Sequence, residues 1–294
     1  MKLARVLCPT DFSEASAHAI DHAVVLASRY HARIAALHVV GEPVTEFGET
    51  PIDDATIERL RTRTAGCFSE AASAGVGLDT YVEVGPPARR ILDRAVTLPA
   101  DLIVIGTHGA TGFEHFVLGS VTEKVLRKAP CPVLTVPPRV QSSARLPFQR
   151  VLYAVDFSDA SLAALQYALG IAAEADASLT ILHVLEWPWE EPPPPRLEDL
   201  PVEQGNALTE YRRYCEASAS ARLGALVPAS DRLSRPPVLR LISGKPYVQI
   251  LQAAAEEKSD LIWEVRLCNH CSSRHLLPAW RSPHSVCPSV TGGI

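Results

Sequence analysis

The sequence predicts an α/β fold made twice over, with two doubly wound, Rossmann-like units in tandem, each a parallel sheet covered by helices. Three observations predict it. The chain repeats itself over long stretches. Within each repeat, short apolar runs alternate with amphipathic stretches, the pattern of strand–helix–strand crossovers. The central apolar run of the first repeat leads directly into a glycine-rich segment, the usual place for a ligand loop on such a sheet.

The repeat is explicit. Arg5-Val6-Leu7 returns as Arg150-Val151-Leu152, Asp11-Phe12-Ser13 as Asp156-Phe157-Ser158, and Leu37-His38-Val39 as Leu182-His183-Val184, each at an offset of 145. Residues 5–40 and 150–185 agree at 15 of 36 positions, far beyond chance. Further on the offset becomes 159, matching Gly85 to Gly244 and Asp101-Leu102-Ile103 to Asp260-Leu261-Ile262. The second copy therefore carries 159 − 145 = 14 extra residues, placed at Trp187 to Pro201 around the run Pro192–Pro195. Such a segment favours extended surface structure and reads as a spacer, with a proline-binding partner as the alternative. The expected units are residues 1–138 and 150–294, joined by a linker at 139–149, and 294 residues suffice for two domains.

In the first copy, Arg5–Pro9 reads as a buried strand, with Ser13 capping the helix that follows. Ala15, Ala19, Ala23 and Ala27 give that helix a small-residue face for close packing on a sheet. Arg33–Val40 is the second strand, residues 52–74 a helix, and Asp79–Val84 the third strand. Pro86 and Pro87 suit the first turn of the next helix. Leu102–Ile105 is the central strand, Ser120–Lys128 a helix and Pro132–Val136 the last strand.

Composition excludes several classes. With 47% apolar and 21% charged residues the chain balances as a globular protein, and a net charge of −5 gives no polyanion footprint. A nucleic-acid partner is not expected. No apolar run reaches the roughly 18 residues that span a bilayer, and the N-terminus lacks the apolar core of a signal peptide. A cytoplasmic location is the expectation. Seven cysteines, three of them crowded into the tail, do not form a disulfide framework. The scattered Cys8, Cys67, Cys131 and Cys215 read as reduced thiols, mostly packing residues.

The chemistry concentrates in Gly106-Thr107-His108-Gly109, nine residues, then Gly119-Ser120. Glycines let backbone N–H groups approach a bulky anion. Gly119-Ser120 opens a helix, whose free N–H groups and positive dipole end favour phosphate. A glycine loop alone can be only a tight turn. It has neither the lysine of a Walker motif nor dinucleotide spacing.

The pattern Gly-x2-Gly-x9-Gly-Ser resembles the ATP-binding motif of universal stress proteins. Cys8-Pro9-Thr10-Asp11-Phe12-Ser13, Leu37-His38-Val39, Val121–Leu126 and Ala129-Pro130-Cys131-Pro132-Val133-Leu134 are similar to other segments of that family. The resemblance covers the first copy almost end to end and the second from Arg150 to about Ile262. It implies an adenine nucleotide alpha hydrolase-like fold with strand order 3-2-1-4-5. It implies that Asp11 faces the ribose, that Pro9 and Thr10 line the base and sugar pocket, and that Val39 meets adenine through its backbone. Gly106, Gly109, Gly119, Ser120 and Val121 would hold the phosphates. His108 shares their loop; its alternative reading is a solvent-facing histidine, as a helix cap is for Asp11. Mg²⁺ would come with ATP, held mostly by its phosphates. The implied function is an ATP-binding stress-response module. The alternatives are a slow ATPase or nucleotidyl-transfer enzyme, and a partner-binding protein with a vestigial site.

The second copy keeps Asp156, His183-Val184 and Gly244 but then departs. Gly106 falls on Val265, Gly109 on Cys268, Gly119 on Pro278 and Ser120 on Ala279. That copy is not expected to hold a triphosphate. From Trp263 onward its length matches the first copy while the content is lost, the signature of a reading-frame shift near Ile262. Cys268, His270, Cys271, His275, His284 and Cys287 are the rival reading, a zinc site. In the family, subunits pair through their last strands. A second copy without that strand would leave Pro132–Val136 as an open edge, inviting a homodimer through it.

Overall fold

The computed structural model of the chain describes residues 3–41, 44–45, 48–49, 52–107, 118–137, 148–186, 202–227, 233–265 and 278–281. Its first half runs β1 (Arg5–Thr10), α1 (Glu14–Tyr30), β2 (Arg33–Val40), a small antiparallel pair β3 (Val44–Thr45) and β4 (Gly48–Glu49), α2 (Asp54–Cys67), α3 (Ser69–Ser73) and β5 (Leu78–Val84). It continues through α4 (Pro87–Thr97), β6 (Leu102–Gly106), α5 (Ser120–Lys128) and β7 (Val133–Val136). The second half runs β8 (Arg150–Ala154), α6 (Asp159–Ala175), β9 (Ser178–Leu185), α7 (Val202–Leu226), β10 (Val238–Ser243), α8 (Pro246–Glu256), β11 (Leu261–Val265) and β12 (Pro278–Arg281).

The apolar runs pair into one ten-stranded sheet, ordered β10-β9-β8-β11-β12-β7-β6-β1-β2-β5. The first half has the expected order 3-2-1-4-5, with every neighbour parallel. The second half repeats 3-2-1-4 in parallel. Its fifth place is filled by β12, antiparallel to β11 and parallel to β7. This corrects the expectation of an open edge on the first half's last strand, because β7 lies between β6 and β12. Strand pairing uses backbone groups that every non-proline residue carries, so four residues of an otherwise unrelated tail can fill the place. Pro278 stands first in β12 rather than opening a helix, a position where a strand tolerates proline.

Alternation along the strands sorts the core onto two faces. Val6, Ile34 and Leu102 join Val151, Tyr153 and Trp263 in one cluster that crosses both halves. On the opposite face each half has its own cluster, centred on Leu7, Leu37 and Ile103 in the first and on Leu152, Leu182 and Ile262 in the second. The alanine face of α1 is buried as expected, with Ala19, Ala23 and Ala27 fully covered, which lets that helix lie close on β1 and β6. Asp101 and Asp260 show why their segment repeats. Asp101 accepts the Ala4 and Arg5 amides at 2.8 and 2.9 Å, and Asp260 those of Gln149 and Arg150 at 2.9 Å. Each staples the start of a fourth strand to the start of a first strand.

The helix expected over 52–74 is two helices. Phe68 leaves the helical region (φ −105°, ψ 25°) and its ring is buried. Cys8 and Cys131 are buried free thiols; Cys67 is exposed and Cys215 half-buried, so packing accounts for only part of that set. Residues 187–201 and 266–277 lie outside the described residues, and with them the proline run and four of the six tail ligands of the zinc reading; His284 and Cys287 also lie outside.

Candidate functional site

The chain proceeds from β1 outward to β2 and β5, then crosses back to β6 and β7. The strand order therefore reverses between β1 and β6, and sheets of this kind open a crevice at the carboxyl ends of such strands. A cavity of about 290 Å³ lies there. Pro9, Thr10 and Asp11 reach it from the end of β1, and Val39 from the end of β2. Gly106 closes it at the end of β6, and Gly119, Ser120 and Val121 at the start of α5. Eight of the ten expected residues, from four separate segments, thus share one cavity. His108 and Gly109 lie outside the described residues.

Asp11 sits in a tight turn. Its Oδ1 accepts the Ser13 hydroxyl at 2.5 Å and the Ser13 amide at 3.1 Å. Ser13 in turn caps α1, accepting the Ser16 amide at 3.2 Å. The cap and the carboxylate therefore belong to different residues, and Asp11 is held at the exposed rim rather than spent on the helix. Thr10 is 5% exposed, and its hydroxyl pairs with Ser16 Oγ at 3.0 Å.

The β6–α5 connection is fixed at both ends. The Gly119 amide donates to the Thr107 carbonyl at 2.8 Å, and Thr122 Oγ1 donates to the Gly106 carbonyl at 2.8 Å. Gly119 provides no side-chain cap to α5, and the first turn of that helix borders the cavity. Gly106 is constrained by packing: a Cβ there would lie 2.7 Å from the Ala15 carbonyl oxygen of α1. Only a residue without Cβ lets β6 end so close to that helix.

The floor is apolar, from Leu37, Ile91, Ile105 and Pro87, while hydroxyls and backbone line the rim. Among the described lining residues none is Lys, Arg or His. Sequence reasoning missed Ser16 and Thr122. The signal for Ser16 was present, since Ser161 repeats it in the second copy; Thr122 has no such counterpart. Burial raises the thiol of Cys8, and that of Cys131 to about 12 with Asp101 adding to the effect, so neither is a thiolate at neutral pH.

In the second half, Asp156 Oδ1 accepts the Ser158 hydroxyl at 2.6 Å and its amide at 2.9 Å. Partial burial opposes ionisation of Asp156, but these hydrogen bonds and one from Ser161 outweigh it and hold the carboxyl below its ordinary range. Around this turn the partners change. Val155 replaces Thr10 and removes the hydroxyl. Tyr153 replaces Cys8, fully buried, with its phenol donating to the Ser161 carbonyl. Trp263, also fully buried, replaces Val104 and stacks with Tyr167 at 6.0 Å.

Comparison with known proteins places the chain. The model of the universal stress protein family matches residues 2–137 and again 147–263. The second match ends just before Val265, where the glycine loop would begin. A universal stress protein of Methanocaldococcus jannaschii is 36% identical over 139 residues, covering 45% of this chain and 81% of that protein. Universal stress protein YxiE of Bacillus subtilis is 33% identical over 144 residues, covering 45% and 97%. A universal stress protein structure from Archaeoglobus fulgidus matches 95% of this chain and 97% of its own, with a TM-score of 0.61 and 21% identity, a likeness of fold.

Proposed function

The chain belongs to the universal stress protein family, and from that premise we propose that its first half binds ATP or a related adenine nucleotide as the sensing step of a stress-response signalling module. The observation that carries this reading is the convergence of Asp11, Val39, Gly106 and Gly119-Ser120 on one cavity at the reversal of strand order. Its volume is near the low end for small-molecule sites, roughly 300–1,000 Å³. Pro9, Thr10 and the apolar floor suit a base and sugar. Val39 offers backbone groups to adenine, and Asp11 an acceptor to the ribose hydroxyls. Gly106, Gly119, Ser120 and Val121 form the phosphate end, to which the sequence pattern adds His108 and Gly109. The donor set fits a polyanion: backbone amides at a helix start plus the Ser120 hydroxyl. Mg²⁺, when bound, would neutralise phosphate charge, with phosphate oxygens as its main ligands.

Binding is favoured over turnover. Phosphoryl transfer needs fixed cations and a positioned base, and the described lining supplies neither a lysine nor an arginine. The functional unit is residues 1–138; the second unit, 150–294, keeps the fold without the phosphate end. A cytoplasmic location belongs to the same proposal.

Calorimetric titration with ATP, with ADP release followed in parallel, tests it. Binding without appreciable turnover is expected, weakened by Gly109→Ala and Gly119→Ala. No binding overturns the proposal. Turnover that disappears in both variants makes the protein an enzyme instead.

A further inference from the structure

Phe12 follows Asp11 with a φ of 64°, in the left-handed region. A bulky aromatic residue rarely adopts that conformation, and it persists only where its surroundings impose it. Two elements converge on this ring, and a third holds the backbone beneath it. From β2, His38 lies 4.3 Å away centroid to centroid, and its Nδ1 donates to the Thr10 carbonyl at 2.8 Å. From α2, the Arg63 guanidinium stacks on the ring at 3.9 Å. From β1, Thr10 Oγ1 accepts the Phe12 amide at 3.1 Å.

The second half repeats the arrangement. Phe157 has a φ of 59°, His183 lies 4.3 Å from it, and Arg222 stacks at 4.1 Å. His183 Nδ1 donates to the Val155 carbonyl at 2.7 Å. Arg63 and Arg222 differ by 159, the offset of matched positions beyond the insertion. Yet α2 and α7 are otherwise unlike, at 14 and 25 residues. The stacked arginine is thus tied to the turn and not to the helix that carries it.

We propose that Arg63 is a positioning residue for the nucleotide site. By stacking on Phe12 it holds the left-handed turn that presents Asp11 and Thr10 to the cavity. Arg63 is exposed and does not line the cavity, so its effect passes through Phe12. This inference rests on the nucleotide reading above.

The test is ATP titration of the full chain and its variants. Arg63→Ala should weaken ATP binding about two- to fivefold, the scale of one exposed cation–π contact. Arg63→Lys should recover part of that loss, because a cation remains over the ring. Arg222→Ala, the same change in the half without a phosphate loop, should leave affinity unaltered. The decisive variant is Phe12→Asn in the Arg63→Ala background. Asparagine tolerates the left-handed region, so the turn no longer needs the stacked arginine and affinity should return. Faster hydrogen exchange at the Phe12 and Ser13 amides in Arg63→Ala would report the loosened turn directly. If wild-type protein binds ATP and Arg63→Ala binds it equally, the inference is overturned while the nucleotide reading stands. If wild-type protein does not bind ATP, both fall.

Discussion

Through four strands the two halves share the hydrogen bonds of the aspartate turn, the helix cap and the strand staple, and then they differ in kind. Asp11 and Asp156 each accept the amide and hydroxyl of a serine two residues on, and Ser13 and Ser158 each cap the following helix. Asp101 and Asp260 make the same staple. Beyond β6 the first half continues into a glycine connection locked by Thr107 and Thr122. The second half has valine at the end of β11, then cysteine and proline at the remaining glycine positions, and a short strand antiparallel to β11. The sheet and the aspartate turn therefore do not depend on the glycine connection. The scaffold is set by apolar alternation and backbone staples, while ligand chemistry is carried by loops grafted onto it.

The harshest way to break the comparison is to give the first half a residue from the second. Gly106→Val puts Cβ against the Ala15 carbonyl, with no flexible side chain to yield. We expect a loss of about 3 kcal/mol or more in denaturant unfolding. Next comes the aspartate pair. Asp11→Ala should weaken ATP binding at least about tenfold, whereas Asp156→Ala should leave it unchanged in the same calorimetric titration. The helix caps should instead behave alike: Ser13→Ala and Ser158→Ala should each cost about 1 kcal/mol of stability. Unequal costs would show that the halves are less alike than their hydrogen bonds suggest.

The smallest effect concerns pH. Burial lowers the His22 pKa, against a raising effect from its bond to the His18 carbonyl. The native state thus prefers neutral imidazole. The stability it confers is fully present above the unfolded pKa of about 6.5 and is lost as pH falls through the lowered native value. His22→Tyr, which installs the second half's Tyr167, should flatten the decline in melting temperature between pH 7 and pH 5.

Much of this was legible in the sequence. β2 and α5 have the bounds that apolar periodicity gives them, and the order 3-2-1-4-5 follows from the family pattern. The eight described site residues meet because each ends a strand or opens a helix at the same sheet edge. Other features were not legible. The break at Phe68 depends on where a buried ring must lie, which no local propensity encodes. The left-handed Phe12 is hidden because aromatic side chains disfavour that region, and the residues its ring packs against, His38 and Arg63, lie far away in sequence. β12 was invisible because its pairing is a backbone property and its residues carry no strand pattern of their own. The loss of family content at about 262 was legible, and the family match stops at 263. Reading the gene in its other two frames tests the frameshift proposal: one frame should restore a glycine motif followed by a Cys-Pro-Val-like strand, and its absence from both contradicts the proposal.

The central claim is that one half binds nucleotide and the other does not. Its most direct test is the stoichiometry of ATP on purified full-length chain, measured at saturation by equilibrium dialysis. The account predicts one nucleotide per chain, with occupancy at wild-type half-saturation falling sharply in Asp11→Ala and unchanged in Asp156→Ala. Two nucleotides per chain, or an occupancy unchanged in Asp11→Ala and falling sharply in Asp156→Ala, would contradict it.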